Sequence, residues 1–343
     1  MTLRITYGPW GETLEEMTAA GVAAEQAGAE VLWVPELHRS ATISAAALAA
    51  ATSQAQIGTA IALAFTRSPM VTALEAMDLD EMTGGRFILG LGSGVQRLNE
   101  LWHNARWGKP VGHMRETVRN IRTFIAQAKT GETISLEGEY EPMMIKGYAR
   151  PFYQVRDEIP IYLGAMGPAM TKLVGEIGDG WISHELCSPR YLEDLLVPWL
   201  QEGADRVGRP HDSVDIVVSA LCSVDADGSK ARRWAAGTVG FYASVKTYED
   251  FFDFHGMKDE QHAVIEKFRE GIGADHLGDF VPDPMVDALT LAGTPDEVMS
   301  RIAEYDGIAT TVKLTPPTHG IGAADTRSSQ EQIIKFIAEL TGN

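Results

Sequence analysis

The chain has 343 residues, and its 47 Asp and Glu residues outnumber its 29 Lys and Arg residues, which gives a formal net charge of -18 at pH 7. This acidic excess argues against nucleic acid or an anionic membrane as a partner, because phosphate groups attract Lys and Arg. No apolar run reaches the roughly 18 residues needed to span a bilayer. The composition therefore predicts a soluble protein with neither kind of partner.

The two cysteines and the N-terminal sequence bear on metal binding and on the location of the protein. Cys187 and Cys222 are far apart in sequence and have no metal-ligand spacing, so no metal site is predicted. Residues 1–5 lead directly into a strand and contain no secretory apolar segment. Both features favour a cytoplasmic location.

Strand-like segments alternate with segments of helical periodicity along the chain. The predicted strands are residues 3–8, 31–36, 56–64, 84–94, 160–164, 180–184, 215–224 and 309–314. The predicted helices are residues 13–27, 43–53, 68–83, 113–129, 167–177, 189–207 and 294–305. Ser68 and Thr294 are predicted N-caps, because each precedes a proline at the first helical position. Eight strands that alternate with helices predict an α/β fold, a closed (β/α)8 TIM barrel with insertions.

Two segments interrupt this alternation. Residues 131–157 are rich in turns and alternate in polarity, which predicts a β-hairpin. Residues 228–281 predict a helical insertion that carries a dense aromatic cluster. We expect a single TIM-barrel domain over residues 1–343, with these insertions forming a pocket for an apolar or planar small molecule.

The fourth predicted strand ends in alternating glycines at Gly90, Gly92 and Gly94. Without Cβ atoms, backbone N–H groups can approach a bulky ligand closely. The run is not the dinucleotide-binding fingerprint, since Val95 stands where that pattern needs its third glycine. The pattern favours a planar cofactor with a phosphate, and simple turns are the alternative.

Four motifs in a fixed order carry a resemblance that covers nearly the whole chain. They are residues 32–36 (LWVPE), 57–61 (IGTAI), 84–94 (GGRFILGLGSG), and 165–168 (AMGP) together with 178–181 (GDGW). With these motifs the chain resembles the bacterial luciferase-like family of (β/α)8 oxidoreductases, which use flavin or deazaflavin. It is most similar to the subgroup that uses the deazaflavin coenzyme F420, such as methylenetetrahydromethanopterin reductases and F420-dependent dehydrogenases. A homodimer is usual in that family.

The resemblance implies where the cofactor binds. It places a non-prolyl cis peptide at Ala60–Ile61, against the cofactor ring, with Glu36 beside the ring. The cofactor-binding residues that it implies are Glu36, Ala60, Ile61, Ala62, Gly92, Ser93, Gly94, Val95, Ala165, Met166, Gly167 and Pro168. The last four precede a predicted helix, whose first N–H groups are free to bind the phosphate.

Glu36 and His38 are the candidate catalytic residues. Both follow the second predicted strand, at the strand end where barrel enzymes place their chemistry. Many deazaflavin relatives have histidine directly after the acidic residue, whereas this chain has Leu37 there and His38 one position later. His38 is therefore either an acid–base group or a loop histidine bonded to backbone.

Further residues are candidates for substrate binding because they follow predicted strands at the barrel mouth. They are Trp10, Arg97, Glu100, Trp102, His184 and Glu185. Trp10 has packing as its alternative role. For the residues after the glycine run, the alternative is an exposed surface loop without a binding role. For the His184–Glu185 pair, the alternative is a structural hydrogen bond.

Three functions remain open from the sequence. The first is an oxidoreductase that transfers a hydride between F420 and a small organic substrate. The second is a luciferase-like monooxygenase that uses reduced flavin mononucleotide (FMN) and dioxygen. The third is a catalytically silent cofactor-binding barrel, or an isomerase that holds a phosphate ligand with the same glycine loop, because a fold alone does not fix function.

Overall fold

The computed structural model describes residues 3–343. The strands are β1 Arg4–Tyr7, β2 Val31–Val34, β3 Gln56–Thr59, β4 Ala62–Leu63, β5 Phe87–Gly92, β6 Ile134–Leu136, β7 Met143–Ile145, β8 Ile161–Gly164, β9 Gly180–Ile182, β10 Asp215–Val224, β11 Leu291–Gly293 and β12 Thr311–Thr315. The helices are α1 Leu14–Gln26, α2 Ala41–Ala51, α3 Pro69–Thr83, α4 Pro110–Gln127, α5 Pro168–Ile177, α6 Pro189–Tyr191, α7 Val197–Val207, α8 Gly228–Ala243, α9 Glu249–Phe254, α10 Lys258–Arg269, α11 Asp283–Leu289, α12 Pro295–Ala303 and α13 Ala323–Thr341.

Each of the eight predicted parallel strands is present, and the predicted helix starts are confirmed at two caps. Ser68 accepts a hydrogen bond from the N–H of Val71 at the start of α3. Thr294 and Glu297 form a capping box at the start of α12, in which the N–H of Thr294 donates to Glu297 Oε2 at 2.7 Å. The short strand β11 and the long helix α13 were not predicted.

The chain forms two compact units, which we describe separately. The second unit comprises Val31–Ile182 and Leu196–Ile216. Its parallel strands pair in the order β2–β3–β5–β8–β9, and β4 also pairs with β5. Helices α2, α3, α4, α5 and α7 pack against one another in chain order. Both faces of these strands are covered, which explains why their sequences are almost continuously apolar.

The first unit comprises residues 3–30, Ser183–Leu195 and Val217–Asn343. Strand β12 pairs in parallel with β1 on one side and with β10 on the other, and β11 extends β10. The core beside β10 and β11 is built from α8 to α11, with Phe252, Leu277 and Met285 completely buried. The single-domain prediction for residues 1–343 stays a prediction.

The two segments that interrupt the alternation differ in structure. Strands β6 and β7, within residues 131–157, form a two-stranded antiparallel pair. Residues 228–281 contain α8, α9 and α10 together with short 3-10 turns. Across residues 3–343, no helix combines the length and the apolar character that crossing a membrane requires.

Candidate functional site

The third predicted strand breaks at the peptide bond between Ala60 and Ile61, which is cis. The strand is divided into β3 and β4, so the prediction of one continuous strand over 56–64 is wrong at this point. The cis bond implied by the resemblance is confirmed. Ala60 N donates to Val34 O at 2.8 Å, and Glu36 N donates to Ile61 O at 3.0 Å. These bonds hold the bulge at residues 60–61 against the end of β2.

The side chain of Ile61 fills space that two glycines leave open. A Cβ at Gly92 would lie 2.7 Å from Ile61 Cγ1, and a Cβ at Gly164 would lie 3.0 Å from Ile61 Cγ2. We predicted that the missing Cβ at Gly92 makes room for a ligand, and this reason is wrong, because the room holds Ile61. Direct contact between Gly92 and a cofactor stays a prediction.

The carboxylate of Glu36 is fully engaged by groups of the protein. Its Oε2 accepts the N–H of Leu63 at 2.8 Å and Nη1 of Arg67 at 2.9 Å, and its Oε1 accepts Nη2 of Arg67. The Glu36 side chain is 8% exposed and that of Arg67 is 21% exposed. Arg67 Nε also lies 3.5 Å from Oε2 of Glu75. The Arg67 guanidinium therefore lies between the carboxylates of Glu36 and Glu75. Because Glu36 accepts the N–H of Leu63, it connects the loop after β2 to the backbone of β4.

This arrangement sets the ionisation of Glu36. Burial alone would raise the pKa of Glu36, but the hydrogen bonds from Arg67 and from the Leu63 N–H, with the charge of Arg67, hold that pKa below its ordinary value. An ionised carboxylate whose oxygens already accept these bonds is suited to positioning its neighbours. The predicted catalytic role of Glu36 stays a prediction, and its contacts are those of a positioning residue.

The loop after β5 is fixed by the completely buried side chain of Asn99. Asn99 Nδ2 donates to Ser93 O at 2.7 Å and to Val95 O at 3.0 Å. Gly94, between them, has a φ of +63°, in the left-handed region that favours glycine. Gly94 and Val95 are exposed and Ser93 is partly exposed, so this loop is accessible while Asn99 holds its shape.

The segment from Ala165 to Pro168 leads into α5 without a side-chain cap. Gly167 is the N-cap, and no atom of residues 3–343 outside its immediate chain neighbours lies within 4 Å of the position a Cβ would take there. The carbonyl of Ala165 accepts Nε1 of the fully buried Trp181 at 3.0 Å. Met166 is only partly buried. The start of α5 thus offers uncapped N–H groups to an anion.

Four predicted site residues of the second unit lie outside the strands, His38 in the loop after β2 and Arg97, Glu100 and Trp102 on a short helical turn that contains the π-helix Leu98–Trp102. His38, Arg97, Glu100 and Trp102 are all exposed, and Trp102 is 65% exposed. Glu100 accepts hydrogen bonds from Gln96 Nε2 at 3.1 Å. Within residues 3–343, His38 forms no hydrogen bond, so the alternative of a histidine bonded to backbone is wrong.

The other predicted site residues belong to the first unit. The N–H of Trp10 donates to Gln330 Oε1 at 2.9 Å, and Tyr7 Oη donates to the same oxygen at 3.0 Å. The guanidinium of Arg327 lies 5.8 Å from the centroid of the Trp10 ring. Trp10 is thereby held through its backbone N–H and through its ring, and its contact with substrate stays a prediction.

His184 and Glu185 lie directly after β9, in a cluster with two tyrosines. Tyr248 Oη is 3.2 Å from His184 Nε2, and Tyr242 Oη donates to Glu185 Oε2 at 3.3 Å. The rings of His184 and Tyr242 meet edge to face with centroids 4.3 Å apart. Burial lowers the pKa of His184 to about 4, so its ring is neutral at pH 7. Lys313 of β12 adds its positive charge to this cluster.

Sequence reasoning did not predict the contacts of three residues. Arg67 pairs with Glu36 across 31 positions of sequence, a distance at which no local pattern gives a signal. Asn99 looks like any polar residue of a loop. Lys313 carried a usable signal, because it stands between Val312 and Leu314 and is the one charged residue of β12.

The two cysteines are buried and reduced. Burial raises the pKa of Cys187 to about 12 and raises that of Cys222 well above its ordinary value, so both thiols are protonated and unreactive at pH 7. Within residues 3–343, no three His, Cys, Asp or Glu side chains form a group that could hold a metal ion.

Comparison with known proteins gives consistent results. The family model described as luciferase-like monooxygenase matches residues 3–311. The 5,10-methylenetetrahydromethanopterin reductase of Methanolobus tindarius is 31% identical over 315 residues, which cover 91% of this chain and 92% of the relative. A putative coenzyme F420-dependent oxidoreductase of Mycobacterium tuberculosis is 28% identical over 328 residues, covering 91% and 94%.

Among solved structures, the coenzyme F420 dependent tetrahydromethanopterin reductase of Methanopyrus kandleri superposes with a TM-score of 0.81 at 24% identity, covering 98% of this chain and 97% of that one. This likeness confirms the predicted (β/α)8 TIM-barrel fold. The family model extends over far more than half of the sequence, and it includes all four motifs. The chain belongs to the luciferase-like monooxygenase family.

Proposed function

We propose that this protein is an oxidoreductase that transfers a hydride between coenzyme F420 and a small organic substrate. One observation carries the proposal: three segments of the second unit that are separate in sequence converge on Ile61. Glu36 N binds the carbonyl of Ile61, and Gly92 and Gly164 both make room for its side chain. The relatives whose names include F420 support the choice of cofactor.

The residues present fit a cofactor with a flat ring and a phosphate tail. The start of α5 at Gly167 has open space and uncapped N–H groups, which suit a phosphate. Ser93, Gly94 and Val95 form an accessible loop of fixed shape. In this proposal those segments hold the phosphate, and Ala60, Ile61 and Ala62 lie against the ring. When bound, the deazaflavin supplies the hydride chemistry itself.

The remaining work of the chain is to position reactants and exclude water. Glu36 and Arg67 hold the backbone of β4 where the ring is proposed to lie. His38 is exposed and has no hydrogen bond among the described residues, so its side chain is available to exchange a proton with substrate. Its acid–base role stays part of the proposal.

Titration of the purified protein with F420 and, separately, with FMN tests this function. We expect F420 fluorescence to change on binding and FMN to bind at least about tenfold more weakly, which corresponds to roughly 1.4 kcal/mol. Tighter binding of FMN would instead favour the monooxygenase that uses reduced flavin and dioxygen. Binding of neither would favour the catalytically silent barrel or the isomerase.

Asn99→Ala tests the loop that is proposed to hold the phosphate. The variant loses two hydrogen bonds, each worth about 1 kcal/mol, so the loop at residues 93–95 should lose its fixed shape. We expect F420 to bind about 3- to 10-fold more weakly, measured by the same titration. Asn343→Ala, at the exposed C-terminus, is the matched control and should bind F420 as the unmodified protein does. Unchanged affinity in Asn99→Ala would remove this loop from the cofactor site.

A homodimer and a cytoplasmic location complete the proposal. The family resemblance supports the dimer, and two buried, reduced cysteines are consistent with a reducing compartment. Sedimentation equilibrium of the purified chain measures the oligomeric state directly.

A further inference from the structure

Lys313 is the starting point, because a buried lysine without a partner is rare. It lies on β12 and is 5% exposed. The strand register places it between Thr6 of β1 and Ser219 of β10, whose side chains are small and also buried. Within residues 3–343, its ammonium group has no hydrogen-bond acceptor and no carboxylate within 4.0 Å. Burying a charge in this way is costly unless something supplies a partner.

The surroundings of Lys313 are polar and partly open. Ser219, which lies opposite Lys313, donates its N–H to Oγ of Ser183 at 2.8 Å, and Ser183 directly precedes His184. Lys313 is thereby placed beside this cluster, and its charge and that of Glu185 act on each other. Burial lowers the pKa of Lys313, and Glu185 opposes that only in part. His184, Glu185, Tyr242 and Tyr248 are each partly exposed, so this cluster borders accessible space.

Tyr248 offers a second donor. The N–H of Leu186 donates to Nδ1 of His184 at 3.1 Å, so Nδ1 carries no proton. Because the ring is neutral, its proton is on Nε2, which donates to Tyr248 Oη at 3.2 Å. The hydroxyl proton of Tyr248 is then directed elsewhere, and it has no acceptor among the described residues. The two hydrogen bonds, from Leu186 to His184 and from His184 to Tyr248, thus orient the hydroxyl of Tyr248 as a donor.

We propose that the cluster of Lys313, Tyr248, His184, Glu185 and Tyr242 binds the carboxylate of a substrate, with Lys313 and Tyr248 as its donors. Lys313 is the one cation of this cluster and Glu185 is nearby, so a single negative charge fits better than a phosphate dianion. The rings of Tyr242, Tyr248 and His184 pack edge to face or tilted against one another, and an aromatic cluster of this kind suits a flat, aromatic acid. The inference rests on the proposed function for the identity of this ligand as the substrate.

Benzoate is the probe, and benzamide is its uncharged counterpart. We measure their binding to the cofactor-free full chain by calorimetry, so the result does not depend on F420. We expect benzoate to bind more tightly than benzamide, and Lys313→Met to weaken benzoate by about 10- to 100-fold, as for loss of a hydrogen bond to a charged group. Lys335→Met removes an exposed lysine of α13 with the same change in net charge, and it should leave benzoate binding unchanged.

Tyr248→Phe keeps the test decisive if Lys313→Met fails to fold. It removes one hydroxyl from a partly exposed ring, and it should weaken benzoate by about 5-fold or more. F420 titration of each variant separates the two proposals, because F420 should bind all of them as it binds the unmodified protein. Equal affinity for benzoate in the unmodified protein and in the variants, preference for benzamide, or no benzoate binding at all would each overturn the carboxylate site. Failure of F420 to bind while benzoate behaves as expected would overturn only the proposed function.

Discussion

Gly90→Ala is expected to destabilise the fold strongly. A Cβ at Gly90 would lie 1.7 Å from the carbonyl oxygen of Thr59, which is backbone and cannot rotate away. Thr59 also binds Gly90 through its side chain: Thr59 Oγ1 donates to Gly90 O at 2.7 Å and accepts Gly90 N at 2.8 Å. The two strands would have to separate, so we expect a loss of about 3 kcal/mol or more in the free energy of unfolding. That is a large part of the roughly 5–15 kcal/mol that stabilises a typical domain.

Urea unfolding followed by circular dichroism measures this loss, and Gly112→Ala is the matched control. Gly112 lies in the first turn of α4, where a Cβ would meet only a ring carbon of Tyr140 at 3.4 Å. Alanine favours helix over glycine by up to about 1 kcal/mol, so Gly112→Ala should be neutral or stabilising. If Gly90→Ala unfolds at the urea concentration of the unmodified protein, the close approach of β3 and β5 is not what requires glycine.

The strand order along the chain was predictable because parallel strands covered on both faces are almost continuously apolar. Residues 87–92 and 217–224 are such runs. Helix starts were predictable where a capping residue and proline stand together, as at Ser68. The short strand β11 was not predicted, because Leu291–Gly293 is too short to show any period.

The site was less predictable because its contacts join distant parts of the chain. The break in the third strand has no signal in its own residues, and only the family resemblance pointed to it. The glycine at position 92 was correctly singled out, but its physical reason is the side chain of Ile61, which no reading of residues 84–94 could reveal. Exposed residues such as His38 and Trp102 lie where strand ends were predicted, and their roles depend on a bound substrate.

Arg67→Met is expected to destabilise the protein because it leaves Glu36 without its charged partner. The Glu36 side chain is 8% exposed, and breaking a buried ion pair from one side is costly. Since Arg67 itself is 21% exposed and solvent screens part of the interaction, we expect a loss of about 2 to 3 kcal/mol at pH 7. Urea unfolding measures it. Arg269→Met is the matched control, because Arg269 and its partner Glu266 are 64% and 60% exposed, and it should change stability by no more than about 0.5 kcal/mol.

The pH dependence separates loss of the ion pair from simple loss of packing. In the unmodified protein the folded pKa of Glu36 is below its ordinary value of 4.5, so the stability that this group contributes is present above that value and is lost as pH falls through the lowered pKa. In Arg67→Met, burial raises the folded pKa and the bonds and charge of Arg67 no longer oppose it, so acid should relieve the cost by protonating Glu36. Glu75, whose pKa burial already raises, should act in the same direction. The stability difference between the two proteins should therefore shrink as pH falls from 7 toward 4, whereas a difference that stays constant over that range would mean that Arg67 acts through packing alone.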